Sequence, residues 1–563
     1  MADCGNLRSM NPPPATWGSI PLPALRSEAH FGDRVVRCFA PRPGSLDGMF
    51  QATVVRHGSR DAVIHGGARW SYAELDLAVQ RTANGLAASG IAQGDRVAIL
   101  IGNRPEFIVA LLAIQRLRAI AVPISIREQA PGIAYLLSQC GARMVIHEEE
   151  LEGRLPQPSG SAEKSQTGFA AGPVLVGLGT GSLWHQWQQQ TGSAAGATVD
   201  ASEEDTAVIL YTSGTTGRPK GAMLSHLNII HSAMHFQYCM SLTCEDRSAM
   251  AVPASHVTGL VGMIMTMLQV GGAIVIVESF KAKAFLTLAA AERITHTILV
   301  PAMYQLCLLE PAFAGHDLRA WRIGAYGGAP MPRSAIEALA ARLPRMTLMN
   351  AYGATETSSP ATVMPAGQQA DHLSSVGLPV PAADIRVMDD AGREVPAGTS
   401  GELWIGGPMV VGGYWDDPQA TAAAFTGGYW RSGDIGCVDA DGYVQVFDRS
   451  KDMLNRGGYK IYSVEVENVL LGSPGVLEAA VVGRPCTILG ERVHAVVAVD
   501  GRLAADAAGC AARLKAHCQA NLADYKVPET WVIQADPLPR NANGKLMKRS
   551  LRPRDAGQLQ PDR

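Results

Sequence analysis

Along the first third of the chain, apolar positions switch between two spacings. The stretch "WSYAELDLAVQRTANGLAASG" carries the three-and-four spacing of an amphipathic helix. It opens with Ser71 and Glu74 as a capping box and ends at Gly90. "DRVAILI" is a continuous apolar run and predicts a buried strand. "PEFIVALLAIQRLRA" predicts a second helix and "IAVPIS" a second strand. This βαβ rhythm argues for α/β layers. It is interrupted over residues 153–173 by Pro, Ser, Gly, Lys and Gln, which read as a surface loop or insertion. The rhythm returns at "TAVILYTS" and runs to about residue 360. From 384 to 450 the period shortens to "DIRVMDD", "GELWIGG" and "GYVQVFDRS", a β-rich region with "DDAG" and "DADG" turns. The last hundred residues mix helix and strand again, most clearly in "VEVENVLLGSPGVLEAAVVG". No internal repeat is visible.

One apolar run imitates a membrane span. "GLVGMIMTMLQVGGAIVIV", Gly259 to Val277, is long and uncharged. Gly271–Gly272 would break a helix there and start a short buried strand. Neither flank has the basic cluster or aromatic anchors of a span. "VLVGLGTGSL" imitates a dinucleotide turn, but Gly177, Gly179 and Gly181 miss the required spacing.

The chain has 563 residues, which argues for at least two domains. Charged residues make up 18% and the net charge is −3, so a nucleic-acid partner is not expected. Ten cysteines are scattered without a C-x-x-C pair, which fits free thiols in a reducing, cytoplasmic setting. The N-terminus lacks a signal-peptide core, and its prolines predict an extended or disordered tail over residues 1–47.

Chemistry concentrates in polar, glycine-rich stretches. "YTSGTTGRPKG", Tyr211 to Gly221, follows the apolar run "TAVIL". Its glycines let backbone N–H groups approach an anion, its hydroxyls add donors and Lys220 adds a point charge. The spacing is not that of a P-loop, so it predicts a phosphate loop of another kind. "AYGGAP" (325–330), "NAYGATET" (350–357), "YWRSGDIG" around Asp434, "FDRSKDMLNRGGYKIYSVEVE" and "PLPRNANGKL" are likewise too polar for packing elements.

In this order and spacing, these motifs resemble the adenylate-forming superfamily of acyl-CoA synthetases, aryl-CoA ligases, nonribosomal peptide adenylation domains and beetle luciferases. The resemblance runs from about residue 48 to 550. It implies a large N-terminal domain of layered α/β subdomains with a β-rich subdomain over 48–449. A hinge at 450–451 and a small mobile α+β domain over 452–550 would follow, then a tail over 551–563. It also implies the reaction. ATP activates a carboxylic acid to acyl-AMP and pyrophosphate, and the acyl group passes to a thiol.

The resemblance further implies residue roles. Thr212, Ser213, Gly214, Thr215, Thr216, Gly217 and Lys220 would hold the β- and γ-phosphates. Glu356 would bind Mg2+, and Thr355 would face the α-phosphate. Tyr352 would lie against adenine, with Gly328, Ala329, Pro330, Asn350 and Gly353 around the nucleotide. Asp434 and Arg449 would hold the ribose. Lys545 would bridge carboxylate and α-phosphate. Lys451 would be the hinge, Gly458 would border the pantetheine path and Lys460 would lie beside it. His256 would gate the acyl pocket. That pocket is expected from 234–239, 256–263 and 324–331, with Gly259, Gly324 and Ala325 as small residues. It offers no acid for an amino-acid ammonium and no arginine for a second carboxylate. A fatty or aryl monocarboxylate is therefore expected. No carrier domain follows Lys545, which points to free coenzyme A as acceptor. The alternatives are loading of a carrier-protein thiol and amino-acid activation.

Overall fold

The computed structural model describes residues 17, 19–156, 172–190, 202–212, 218–369, 371–457, 459–486, 488–540 and 546–552. Its first elements correct the expectation of a disordered tail up to residue 47. β1 (Leu25–His30) and β2 (Arg34–Phe39) form an antiparallel hairpin. Phe39 and Cys38 are fully buried, and the Trp17 indole donates to the Val363 carbonyl at 3.1 Å. Two arginines fasten the hairpin. Arg42 bridges Glu28 and Glu203 at 2.7 and 2.5 Å. Arg34 donates to the carbonyls of Val410, Val411 and Gly412 at 3.0–3.3 Å. Partners nearly 400 residues away leave no local signature, so proline content misled.

Two sheets build the large domain. The capping box at Ser71 is present and starts α1 (Tyr72–Ala88), which buries one face. The first sheet has six strands, parallel except at one edge, where β3 (Thr206–Thr212) pairs antiparallel with β4 (Lys220–Ser225). α2 (His226–Cys239) follows, with Ser225 capping its start. It is enclosed nearly all round, which a helix lodged between two sheets must be. The second sheet has nine strands. At its centre β5 (Ile323–Tyr326) runs parallel to β6 (Thr347–Tyr352). The apolar run at 259–277 is split as the glycines predict. A wide helical turn over Thr258–Met265 continues as Thr266–Val270, and then the strand Ala273–Ile276 begins. Among the described residues no helix is long and apolar enough to cross a membrane.

The region after residue 384 is β-rich. β7 (Tyr429–Val438) pairs antiparallel with β8 (Val444–Arg449) in a five-stranded sheet. Beyond residue 451 a second five-stranded sheet packs with α3 (Ser463–Leu471) around a separate core that includes Val466, Leu470, Val481, Ala495, Val497 and Leu514.

Candidate functional site

A cleft of about 2870 Å3 opens between the large domain and the C-terminal sheet. Much of its floor is built where parallel strands end, the usual place for ligands in α/β sheets. β6 ends at Tyr352 and the chain then makes a short turn over Thr355–Thr357. Thr355 and Glu356 are buried there. Glu356 Oε1 accepts from the Tyr414 hydroxyl at 2.9 Å and from Thr212 Oγ1 at 3.5 Å. Its backbone carbonyl accepts from Val411 N at 3.0 Å. Burial and the Glu356 charge both raise the Tyr414 phenol well above its ordinary range, so it stays a donor. Lys220 Nζ lies 5.3 Å from the centre of the Tyr414 ring. Thr212 and Lys220 face each other in the β3–β4 ladder, which pins together both ends of the hydroxyl-rich loop. Ser213, Gly214, Thr215, Thr216 and Gly217 lie outside the described residues.

A second carboxylate sits farther along the cleft. Asp434 on β7 is the register partner of Arg449 on β8, and their side chains meet at 2.9 Å. The Tyr352 hydroxyl donates to the other Asp434 oxygen at 2.6 Å, and Ser432 Oγ accepts from Asp434 N at 3.0 Å. Burial first, then the Asp434 charge, keeps Tyr352 protonated far above its usual range. Each Asp434 oxygen has one protein side-chain donor here and retains capacity for another. Gly328, Ala329 and Pro330 leave β5 as an exposed segment along the same wall, and Asn350 and Gly353 line it too.

His256 stands at the apolar end, half-buried, on a loop fastened from another strand–helix connection. Buried Asn103 donates to the carbonyls of Val252 and Val277 at 3.0 Å and accepts from Ala254 N at 2.8 Å. Gly259 serves that loop rather than the pocket wall: a Cβ there would lie 2.2 Å from the Pro253 carbonyl. Gly324 is also misplaced by the sequence reading. A Cβ on it would meet Met346 Sδ at 2.6 Å and the Tyr304 hydroxyl at 2.9 Å, so it packs against them, away from the cleft lining. Strand alternation puts Gly324 on the opposite face from Ala325, and the motif alone does not reveal which face is which.

One C-terminal segment faces the cleft. Arg540, Leu546, Met547 and Lys548 line it. Lys460 is exposed on a short hairpin outside the lining residues, while Lys451 lies at the cleft edge. Gly458 and Lys545 themselves lie outside the described residues.

Residues 50–415 match the AMP-binding enzyme family, and residues 465–545 match the AMP-binding enzyme C-terminal domain. The chain belongs to the AMP-binding enzyme family. A feruloyl-CoA synthase of an Amycolatopsis species is 36% identical over 497 residues, covering 88% of this chain and 95% of its own. A long-chain-fatty-acid–CoA ligase of Mycobacterium tuberculosis is 33% identical, covering 86% and 93%. Among solved structures, the o-succinylbenzoate coenzyme A synthetase of Bacillus subtilis in complex with ATP and a magnesium ion superposes with a TM-score of 0.77. It is 26% identical and covers 89% of this chain and 98% of its own.

This AMP-binding enzyme is therefore an AMP-forming acid–thiol ligase. It activates a carboxylic acid with ATP to an acyl adenylate and transfers the acyl group to coenzyme A. Its cleft gathers Thr212, Lys220, His256, Gly328, Ala329, Pro330, Asn350, Tyr352, Gly353, Thr355, Glu356, Asp434 and Arg449. Sequence reasoning missed Tyr414 and Asn103, which orient Glu356 and the His256 loop. Tyr414 had one available signal, an aromatic residue inside the polar run "GGYWDD".

Proposed function

We propose that this enzyme acts on an aryl or short-to-medium aliphatic monocarboxylate. The observation that carries the reading is the end wall of the acyl side. Phe236, Val257 and Ile298 line it. Behind them Gly262 leaves no depth, since a Cβ there would stand 3.0 Å from Ile298 Cδ1 and 3.2 Å from the Phe236 ring. The feruloyl relative supports the aryl side of this reading.

The cleft residues take the following roles in the proposal. Thr212 and Lys220, with the loop between them, hold the ATP phosphates. Tyr352, Gly328, Ala329, Pro330, Asn350 and Gly353 surround adenine, and Asp434 with Arg449 holds the ribose. Thr355 faces the α-phosphate. Lys545 offsets the charge that builds as carboxylate meets phosphate. His256 separates acyl and phosphate ends. Gly458 and Lys460 border the path of the thiol.

Glu356 fits Mg2+. It is a buried carboxylate whose described partners are neutral hydroxyls, with no lysine or arginine within 4.0 Å among the described residues. Such a group is costly until a cation joins it, and a carboxylate oxygen suits a hard ion. The ion would neutralise phosphate charge. The nine described cysteines are free thiols, which supports a cytoplasmic setting.

The test is pyrophosphate release with ATP against acids from acetate to oleate, plus benzoate and cinnamate analogues. Aryl or short-to-medium acids should give the highest kcat/KM. A clear preference for acids of sixteen carbons or more would overturn the shallow-pocket reading.

A further inference from the structure

A buried ionic cluster bridges the hinge. Asp448 is the penultimate residue of β8 before it, and Ser463 begins α3 after it. The Asp448 carboxylate accepts from the backbone N–H of Ser463, while its other oxygen accepts from Arg449 N at 2.7 Å. Tyr462 makes no side-chain cap for α3. Asp448 therefore supplies from the large domain the acceptor that a helix start ordinarily finds in its own chain. Phe447 and Tyr462 pack ring to ring beside it, 5.2 Å between centres.

Lys548 completes the cluster. Its Nζ donates to Ser463 Oγ at 2.6 Å and pairs with Glu467 Oε1 at 2.7 Å. Glu467 also accepts from Val481 N at 2.7 Å. A lysine at a helix N-terminus faces the positive end of the helix dipole, an unfavourable place unless acids surround it. Burial pushes the Glu467 carboxyl up to about 7 against the opposing pull of Lys548, so Glu467 carries only part of a charge at neutral pH. Asp448 is the other acid near Lys548 and belongs to the opposite side of the hinge; burial raises its carboxyl, and the Lys548 charge opposes that rise across space.

Lys548 stands three residues beyond Lys545. We propose that Asp448 and Lys548 are positioning residues that latch the C-terminal segment with Leu546, Met547 and Lys548 toward the cleft, favouring acyl-adenylate formation over thioester formation. Rotation about residues 450–451 pulls Asp448 away from Ser463 and from the charge of Lys548, whose direct partners Ser463 and Glu467 move with it. The latch sets the balance between poses through the Ser463 end of α3.

This rests on the two-step reading above, and its test separates the two. Asp448→Asn and Lys548→Met are compared with Lys548→Arg, which keeps the charge. Pyrophosphate release from acid and ATP is measured apart from acyl-CoA formation from presynthesised adenylate. A pose readout independent of chemistry is the distance between labels at exposed Val35 and Ile488, introduced as non-canonical residues. Loss of one helix cap is expected to slow the first half-reaction about five- to tenfold. The second half should stay level or rise, the label distances should broaden, and Lys548→Arg should restore most of the ratio. Equal losses in both halves, or an unchanged ratio with unchanged distances, would overturn the latch. A parent protein without either half-reaction would instead overturn the functional reading, and unchanged label distances would then still dispose of the latch.

Discussion

Glu356 gains its place from a hydroxyl that no motif advertises. Tyr414 lies 58 positions away in sequence, and its O–H is one of two side-chain donors to the carboxylate among the described residues. Tyr414→Phe keeps the ring that packs against Lys220 and removes only the donor. Hydrogen bonds to charged groups contribute about 1.5–3 kcal/mol. Pyrophosphate release should therefore slow about tenfold or more, with a raised requirement for magnesium and little change in melting temperature. Unchanged kinetics would mean that Tyr414 does not orient Glu356. Glu356→Ala should abolish adenylation while the fold survives, because the residue sits on a turn at the cleft. The same scale explains what the sequence left dark. Asp434, Arg449 and Tyr352 were recognisable from their motifs. Their mutual bonding was not, since it depends on the register of β7 with β8 and on where the end of β6 meets them.

At the scale of elements, α2 carries an unusual load. His226, His231 and His235 are buried on one helix. Burial lowers His226 and His231 to about 4 each, and lowers His235 well below its ordinary value. Neutral rings meet local needs: His226 Nδ1 accepts from Leu46 N at 3.3 Å and His231 Nε2 accepts from Phe39 N at 3.2 Å. Unfolded histidines bind protons below pH 6.5, so the unfolded state holds more protons between about 6.5 and 4. Stability is thus fully present above pH 6.5, falls as pH drops through that window and levels off near 4. The His226 and His231 rings each account for on the order of 3 kcal/mol across the window, and His235 acts in the same direction. Urea unfolding at pH 7.5, 6 and 5 should show the decline, and His235→Leu should flatten it. An identical slope in that variant would remove His235 from the account. Helix and strand periods made most of these elements legible beforehand. The burial of the histidines was not legible, because the enclosure of α2 is a tertiary fact.

For the whole molecule, the proposed division of work between the two sides of residues 450–451 carries a sharper expectation. Lys545→Ala should abolish pyrophosphate release yet leave acyl-CoA formation from supplied adenylate largely intact. Equal damage to both would make Lys545 a general binding residue. The layered architecture was legible because βαβ alternation, a β-rich stretch and a final mixed segment each leave a pattern. The N-terminal hairpin was not, since its charges are satisfied by segments far along the chain. That hairpin has a practical consequence for anyone trimming the protein. Arg34 holds the carbonyls of Val410, Val411 and Gly412, and the same short segment delivers Val411 N to the Glu356 backbone and leads into Tyr414. Removing the first 45 residues as dispensable would unbrace the Glu356 carboxylate, proposed to face Mg2+, from behind. The shortened enzyme should still melt cooperatively but need more magnesium for half-maximal pyrophosphate release, and an unaltered magnesium titration would show the hairpin to be mere covering.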